Sequence, residues 1–214
     1  MPLTIATITD VITKHEGLAA YPTLMFATNL TVCKNPISIL SIEDFISGNI
    51  MGDTLDVIQR SIFMREKLAY PSLRIGGESL LWWQIAKQWK IPFFPIALMK
   101  MNSDANSQLT SVASQVRNAT HLANFQALRI DKFYEDLIYY PQAFIDRHLA
   151  AATYFMLCQN NSKARQFIKP IFKKTFRAPL LYLLSFFPAQ WVKQLFVWYR
   201  ISMENSKRPS SNKI

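Results

Sequence analysis

The segment from Leu73 to Asn102 limits the possible folds most, because it predicts a loop, a helix and a strand in immediate succession. The glycine pair 76–77 gives the loop backbone angles that other residues avoid. Apolar residues then recur with the period of one helix face, at Leu81, Trp82, Ile85, Ala86 and Trp89. Pro92 cannot continue a helix, and the apolar run at 93–99 predicts a buried strand. We therefore expect a helix that begins near Glu78 and ends before Pro92.

Upstream of this segment the sequence predicts two strands and one short helix. Residues 24–32 and residues 57–63 are rich in apolar and β-branched side chains, and each run predicts a strand. Between them, Ser41 and Asp44 resemble a capping box that begins a short helix, which a Gly-Asn pair ends. Residues 49–56 follow as a predicted polar loop.

The chain beyond Asn102 predicts helices. Apolar residues recur at helical spacing in residues 112–126 and 142–158. A third, basic helix is predicted at about 163–174, where Pro170 breaks it. Residues 178–201 are long enough to suggest a membrane span, but their prolines and basic residues favour two short helices instead. The polar residues 205–214 predict a disordered tail.

Positive charge is concentrated in the C-terminal part of a chain whose net charge is +10. No acidic residue lies between Asp146 and Glu204, whereas nine basic residues do: Arg147, Lys163, Arg165, Lys169, Lys173, Lys174, Arg177, Lys193 and Arg200. Aromatic side chains lie among these cations, which favours an anionic partner such as a membrane surface or a nucleic acid. No nucleic-acid-binding motif accompanies the charge, so we expect no nucleic-acid partner.

The last predicted helices leave two interpretations open. Trp191, Leu195, Phe196 and Trp198 form one face, and Gln190, Lys193 and Arg200 lie along a polar stripe, a pattern that suits the headgroup boundary of a membrane. Alternatively, these apolar and aromatic side chains pack on the rest of the protein. Cys33 and Cys158 predict no disulfide framework and fit a reducing compartment. We therefore expect a cytoplasmic protein, peripheral on the inner face of the cell membrane if the first interpretation holds.

Several motifs, in order along the chain, resemble the end of the catalytic domain of family 2 glycosyltransferases, which have the GT-A fold. The matching runs are Ile42–Asn49, Val57–Phe63, Gly77-Glu78-Ser79, Leu81-Trp82-Trp83, Ile85-Ala86-Lys87 and Lys90–Pro95. The resemblance covers roughly residues 20 to 200. It implies an α/β fold for residues 1–102, in which covering helices lie on a partial GT-A-like mixed sheet. An all-α region would then extend over residues 103–204.

The resemblance implies an inverting transfer of a hexosyl group from a nucleotide-sugar donor to a hydroxyl of a glycan or lipid acceptor. In the family, an Asp-x-Asp motif holds Mg²⁺ or Mn²⁺, and the Asp of a Glu-Asp pair is the base. This sequence has no Asp-x-Asp, and Ser79 replaces that Asp beside Glu78. We therefore expect the acceptor-side part of such an enzyme, weak or inactive alone. It is either a truncated product or one part of a split enzyme, in which a complementary subunit supplies the nucleotide-sugar half.

The resemblance also gives the candidate site residues. Glu78 is the candidate catalytic residue, and the candidate substrate-binding residues are Asp53, Asp56, Arg60, Trp82 and Trp83. Each has a simpler structural interpretation, because turn carboxylates, solvated arginines, core tryptophans and acidic first-turn residues are common. Residues 1–19 show no clear periodicity. Asp10 lies where a relic of the metal motif could lie, but a lone Asp is far more often a cap or turn residue, and we expect no metal ligands.

A different class of function remains as the alternative. The chain would then be a non-catalytic membrane-surface or scaffold protein, with the ancestral fold kept as a platform. Its basic aromatic C-terminus would dock on anionic lipid.

Overall fold

The computed structural model describes residues 2–33, 39–100 and 111–207. The chain divides into two compact units, Met1–Asp104 and Ala105–Ile214, here called unit 1 and unit 2. The domain boundary that the sequence predicts, between residues 102 and 103, lies outside the described residues.

Unit 1 alternates short helices and strands, so the α/β class is confirmed. In chain order its elements are α1 (Pro2–Lys14), a 3-10 turn (Glu16–Ala20), β1 (Thr23–Thr28), β2 (Val32–Cys33), β3 (Ile39–Leu40), α2 (Ile42–Ser47), β4 (Ile50–Met51), β5 (Thr54–Ile58), α3 (Arg60–Arg65), α4 (Gly77–Gln88) and β6 (Ile91–Met99). Four strands form a mixed sheet in the order β3-β6-β1-β5, and β2 pairs with β4 separately. Strands β1 and β6 are parallel, whereas β1–β5 and β3–β6 are antiparallel.

Strand β1 lies at the centre of the sheet and is buried on both faces. Met25 and Ala27 belong to the core cluster that contains the apolar face of α4. Leu24 and Phe26 point the other way and pack with Val11 of α1. This alternation follows from the two-residue period of a strand. The sheet is therefore the middle of three layers, with α4 on one face and α1 on the other.

Helix α4 confirms the helix expected after Gly76-Gly77. Gly76 has a positive φ of 81°, a conformation that favours glycine, and a Cβ on Gly77 would lie 3.0 Å from the Pro71 carbonyl oxygen. The helix ends at Gln88, before Pro92, which lies inside β6. Strand β6 is buried only in its first three residues, so the predicted burial of 93–99 is wrong for most of that run.

The predicted capping box is present. The Ser41 backbone N–H donates to Asp44 Oδ2 at 2.8 Å, and the Asn49 side-chain amide donates to Asp44 Oδ1 at 3.1 Å. Helix α2 ends at Gly48, whose φ is 70°. A left-handed glycine of this kind is the usual helix terminator.

Two further local predictions for unit 1 are wrong, those for residues 57–63 and 49–56. The strand expected at 57–63 lies earlier, as β5, and residues 60–65 form helix α3, so much of the predicted loop 49–56 is strand. The periodicity of a short apolar run does not by itself distinguish a strand from a helix.

Residues 2–14 form α1, which the sequence did not predict. Its Val11 packs on β1, and the Thr4 hydroxyl donates to the Leu98 carbonyl of β6 at 3.2 Å.

The described part of unit 2 consists of helices and the turns that join them. Its elements are α5 (Val112–Arg117), α6 (Ala119–Lys132), α7 (Tyr134–Leu137), α8 (Pro141–Leu157), α9 (Asn161–Ile168), a 3-10 turn (Lys169–Ile171), α10 (Arg177–Leu184) and α11 (Ala189–Lys207). Helix α8 contacts α6, α9, α10 and α11 and is the centre of the unit. Its fully buried Ala151 and Ala152 have small side chains, which let neighbouring helices approach closely.

The end of unit 2 is only partly described. Helix α11 extends to Lys207, so the first three residues of the predicted disordered tail are helical, and residues 208–214 lie outside the described part. Within the described ranges, every helix is too short or too polar to span a membrane.

Candidate active site

Two carboxylates of unit 1 lie close enough on the α4 side of the sheet for their charges to interact. Asp56 lies on β5 directly opposite Met25, whose side chain packs in the core beneath α4. Its neighbours Leu55 and Val57 point to the α1 side. Because side chains alternate along a strand, the Asp56 side chain points toward α4. Glu78 is the acidic residue in the first turn of α4, and its charge acts on Asp56.

The Asp56 carboxyl has an altered acidity. Burial is the main cause that raises its pKa from 3.8 to about 6, and the charge of Glu78 acts in the same direction. The Thr54 hydroxyl, which donates to Asp56 Oδ1 at 2.9 Å, opposes this shift because it stabilises the ionised carboxylate. Asp56 is therefore a half-buried acid that titrates close to neutral pH.

Tyr70 is a third member of this cluster, and sequence reasoning missed it. Burial raises the pKa of its phenol, and the charges of Asp56 and Glu78 add to the effect. The Tyr70 ring lies edge-on to Trp82, with ring centroids 6.1 Å apart and an interplanar angle of 86°. The loop between α3 and α4 brings Tyr70 to this position, and no local sequence pattern indicates that a loop tyrosine contacts these residues.

The two tryptophans of α4 are both buried. Trp82 follows Glu78 by four residues, one helical turn, and connects the carboxylate cluster to the core through Tyr70. Its side chain is 7% exposed and that of Trp83 is 3% exposed. Both tryptophans therefore occupy core positions, and Trp82 also contacts the cluster through its ring.

Asp53 lies in the tight turn between β4 and β5, with its side chain exposed. The hydroxyls of Thr28 and Thr31 both donate to its backbone carbonyl, so the turn is fixed by its main chain. Gly52 precedes it with a φ of 91°, and a Cβ there would lie 2.1 Å from the Leu30 carbonyl oxygen. The turn thus needs glycine at position 52, and this requirement does not depend on any role of the Asp53 carboxylate.

Arg60 and Ser79 complete the residues that the sequence singled out. Arg60 is the exposed first residue of α3. The Ser79 hydroxyl donates to the Gly76 carbonyl oxygen at 2.9 Å and so stabilises the entry into α4. The structure therefore places Asp56 and Glu78 close enough for their charges to interact, and Tyr70 links them to Trp82. In the described residues Asp53 and Arg60 form no ion pair with these carboxylates.

The candidate site offers few ligands for a metal ion. Across the described ranges, no group of three or more His, Cys, Asp or Glu side chains is arranged to hold one. Asp56 and Glu78 supply two carboxylates only, fewer protein ligands than a dedicated divalent cation site usually has. We therefore assign no chemical step to a cation held by these residues. Asp10 forms an ion pair with Lys14, one turn further along α1, at 2.7 Å.

Comparison with protein-family models, with curated protein sequences and with solved structures gives no match for this chain.

Proposed function

We propose that unit 1 is the acceptor side of a sugar-transfer site, as the resemblance to family 2 glycosyltransferases implies. The observation that carries the proposal is the Asp56–Glu78–Tyr70 cluster beside the helix that bears the family's motif. Perturbed pKa values of this kind concentrate at functional sites.

Asp56 is the better general base of the two carboxylates. A base acts best when its pKa lies near the working pH, and the pKa of Asp56 is about 6. Ser79 takes the position of the family's Asp, but its hydroxyl is too weak a base to accept a proton at neutral pH, and it donates a hydrogen bond to the Gly76 carbonyl oxygen. Compared with the sequence interpretation, the proton acceptor therefore moves from Glu78 to Asp56. Glu78 becomes a positioning residue whose charge adds to the effect of burial, which is the main cause of the raised Asp56 pKa.

The proposed reaction is a single displacement. The acceptor hydroxyl gives its proton to an Asp56 carboxylate oxygen as its oxygen forms a bond to the anomeric carbon of the donor. The bond from that carbon to the diphosphate oxygen breaks, and the nucleoside diphosphate leaves with the electron pair, so the anomeric centre inverts. A complementary subunit or another part of the protein holds the donor. This chain alone is then weak or inactive.

Acceptor binding tests the proposal without the donor. Amide and indole resonances of the ¹⁵N-labelled chain are followed during titration with methyl glycosides of glucose, galactose, mannose and N-acetylglucosamine. We expect at least one glycoside to shift resonances near Tyr70, Glu78 and Trp82, and we expect Asp56→Asn to weaken that binding. Asp53→Asn is the matched control, because it removes an exposed carboxylate from the neighbouring turn. Shifts confined to other regions, or no shifts, contradict the acceptor site.

A second experiment tests the division of the enzyme. The purified chain is incubated with UDP-glucose, UDP-galactose, UDP-N-acetylglucosamine or GDP-mannose, Mg²⁺ or Mn²⁺, and the glycoside that binds. We expect no transfer by the chain alone. Clear turnover would show that the donor is held by this chain, and its loss in Asp56→Asn would still support the acceptor-side assignment.

A further inference from the structure

Two successive helices of unit 2 leave a row of large apolar side chains exposed. Those on α10 and its flanks lie along one face of the helix, and those on α11 lie along one face of that helix. The members, here called the aromatic face, are Phe176, Leu180, Leu183, Phe187, Trp191, Leu195 and Trp198. Phe176 is 81% exposed and Trp198 is 70% exposed. The rings of Phe187 and Trp191 stack with centroids 5.9 Å apart and join the two rows.

Both helices are held in unit 2 by their opposite faces. Ala178 and Ser185 of the α10 region are buried, and so is Val192 of α11. The Phe196 ring meets Tyr154 of α8 at a centroid distance of 6.4 Å, so it packs inward rather than with Trp191, as the sequence had suggested. The aromatic face is therefore the outward side of helices that are already anchored.

Positive charge borders the aromatic face. The exposed Arg177 has its guanidinium carbon 5.9 Å from the Phe176 ring centroid, and exposed Lys169 and Lys173 precede it along the chain. The guanidinium carbon of Arg165 lies 4.9 Å from the ring centroid of Phe186, beside Phe187. No acidic residue occurs between positions 146 and 204. The surface therefore has an apolar centre with the cations Arg165 and Arg177 at its edge.

This combination identifies one kind of occupant. A second copy docked through the same face would bring two basic borders together, which like-charge repulsion disfavours. An anionic bilayer supplies both complements, since its acyl region accepts aromatic side chains and its phosphate groups attract Lys and Arg. Tryptophan is the side chain that most favours the boundary between the two regions.

We propose that the aromatic face docks on the surface of an anionic lipid bilayer, with α10 and α11 lying in the plane of the headgroups. Trp191, Trp198 and the apolar side chains of α10 enter the headgroup and acyl boundary. Arg177 and the lysines before it contact lipid phosphates. This docking does not depend on sugar transfer, and it holds equally for a protein that has no catalytic activity.

The test uses the full chain and sedimentation with vesicles. One set of vesicles contains phosphatidylcholine alone, and the other contains phosphatidylcholine with phosphatidylglycerol. We expect binding to the anionic vesicles that weakens as salt is added, and much weaker binding to the uncharged ones. The double variant Trp191→Ala/Trp198→Ala should lower the partition coefficient about a hundredfold or more. Tyr139→Ala is the control, because Tyr139 is 78% exposed in unit 2 but lies outside the aromatic face.

Charge variants test the basic border separately. Arg177→Gln should lower partitioning to anionic vesicles about fivefold, since each cation near the surface contributes about that factor. Lys132→Gln removes one charge from the exposed end of α6 and should leave binding within about twofold.

The proposal is overturned if the chain fails to bind anionic vesicles at low salt, or binds uncharged vesicles equally well. It is also overturned if each variant and its control lose the same share of vesicle binding. A fourth contrary result is that the chain binds no vesicles but forms concentration-dependent dimers, which the double tryptophan variant abolishes. Circular dichroism of each variant confirms that folding is retained.

Discussion

Replacing Asp56 by Asn should stabilise unit 1 at neutral pH, although it removes a residue of the proposed site. Asn is nearly isosteric with Asp, and its side-chain carbonyl can still accept the hydrogen bond that the Thr54 hydroxyl donates at 2.9 Å. What the substitution removes is a charge that burial disfavours. The variant therefore separates stability from binding, because the same change should weaken acceptor binding.

The magnitude follows from the pKa of Asp56. Its value rises from 3.8 to about 6 on folding. At pH values between these limits the folded state holds a proton that the unfolded state has lost, so the free energy of unfolding falls as pH rises. A shift of about two pKa units corresponds to about 3 kcal/mol. This contribution is present below pH 3.8 and is lost as pH rises through about 6. Asp56→Asn does not titrate and avoids that loss.

The assay measures the free energy of unfolding in urea at a series of pH values. Tryptophan fluorescence reports on unit 1 alone if Trp191→Phe and Trp198→Phe are present in both proteins, since the remaining tryptophans are Trp82, Trp83 and Trp89. We expect the stability of the variant relative to the parent to increase between about pH 4 and about pH 8 by about 3 kcal/mol. Asp53→Asn serves as the control, because its exposed side chain should give no such trend.

Two outcomes would refute this reasoning. If the difference between Asp56→Asn and the parent does not change with pH, then Asp56 is not a carboxyl with a raised pKa in the folded chain. If the variant is less stable at every pH, then the carboxylate contributes interactions that outweigh its burial. In either case Asp56 loses its advantage as the proposed base.

Two further changes test neighbouring parts of unit 1. Glu78→Gln should lower the pKa of Asp56 without restoring 3.8, because burial is the larger cause, and carboxyl ¹³C chemical shifts during a pH titration measure it. An unchanged pKa would mean that the two carboxylates do not interact. Gly52→Ala should destabilise the unit by more than about 2 kcal/mol in urea, whereas Gly17→Ala, whose Cβ would meet nothing within 4 Å, should change little.

The sequence predicted best where the determinants are local. The capping pair Ser41 and Asp44 and the left-handed Gly48 lie within a few residues of each other, and α2 forms between them. Helix α4 follows from one apolar stripe preceded by a glycine pair. In both cases neighbouring residues contain the whole signal, so no knowledge of the distant chain is needed.

Prediction failed where distant contacts decide. Helix α1 is rich in threonine and isoleucine, which are weak helix formers, and its packing on β1 and β6 stabilises it. Thr4, Ile8 and Val11 have helical spacing, and this spacing is the sequence signal that could have predicted α1. Residues 60–65 contain a buried Ile62 in a run that also suits a strand.

In the candidate site, too, local features could be predicted from the sequence and features that depend on distant contacts could not. Glu78 and Trp82 are one turn apart on a predicted helix, so their proximity follows from the sequence. Asp56 was selected as a loop residue, but it lies on β5, and its pKa depends on burial that only the folded unit creates. Tyr70 reaches the cluster through a long connection, and nothing in its own neighbourhood indicates its partners.

The central position of β1 has a consequence for how the chain folds. Met25 is paired with Asp56 on one side and with Phe93 on the other, and Phe93 is synthesised 68 residues after it. Until β6 exists, one edge and part of one face of β1 remain without their partners. Parallel pairing over such a separation requires a large loop to close first, which slows folding. During synthesis, the apolar run at 23–28 is therefore the part of unit 1 that most needs protection by a chaperone.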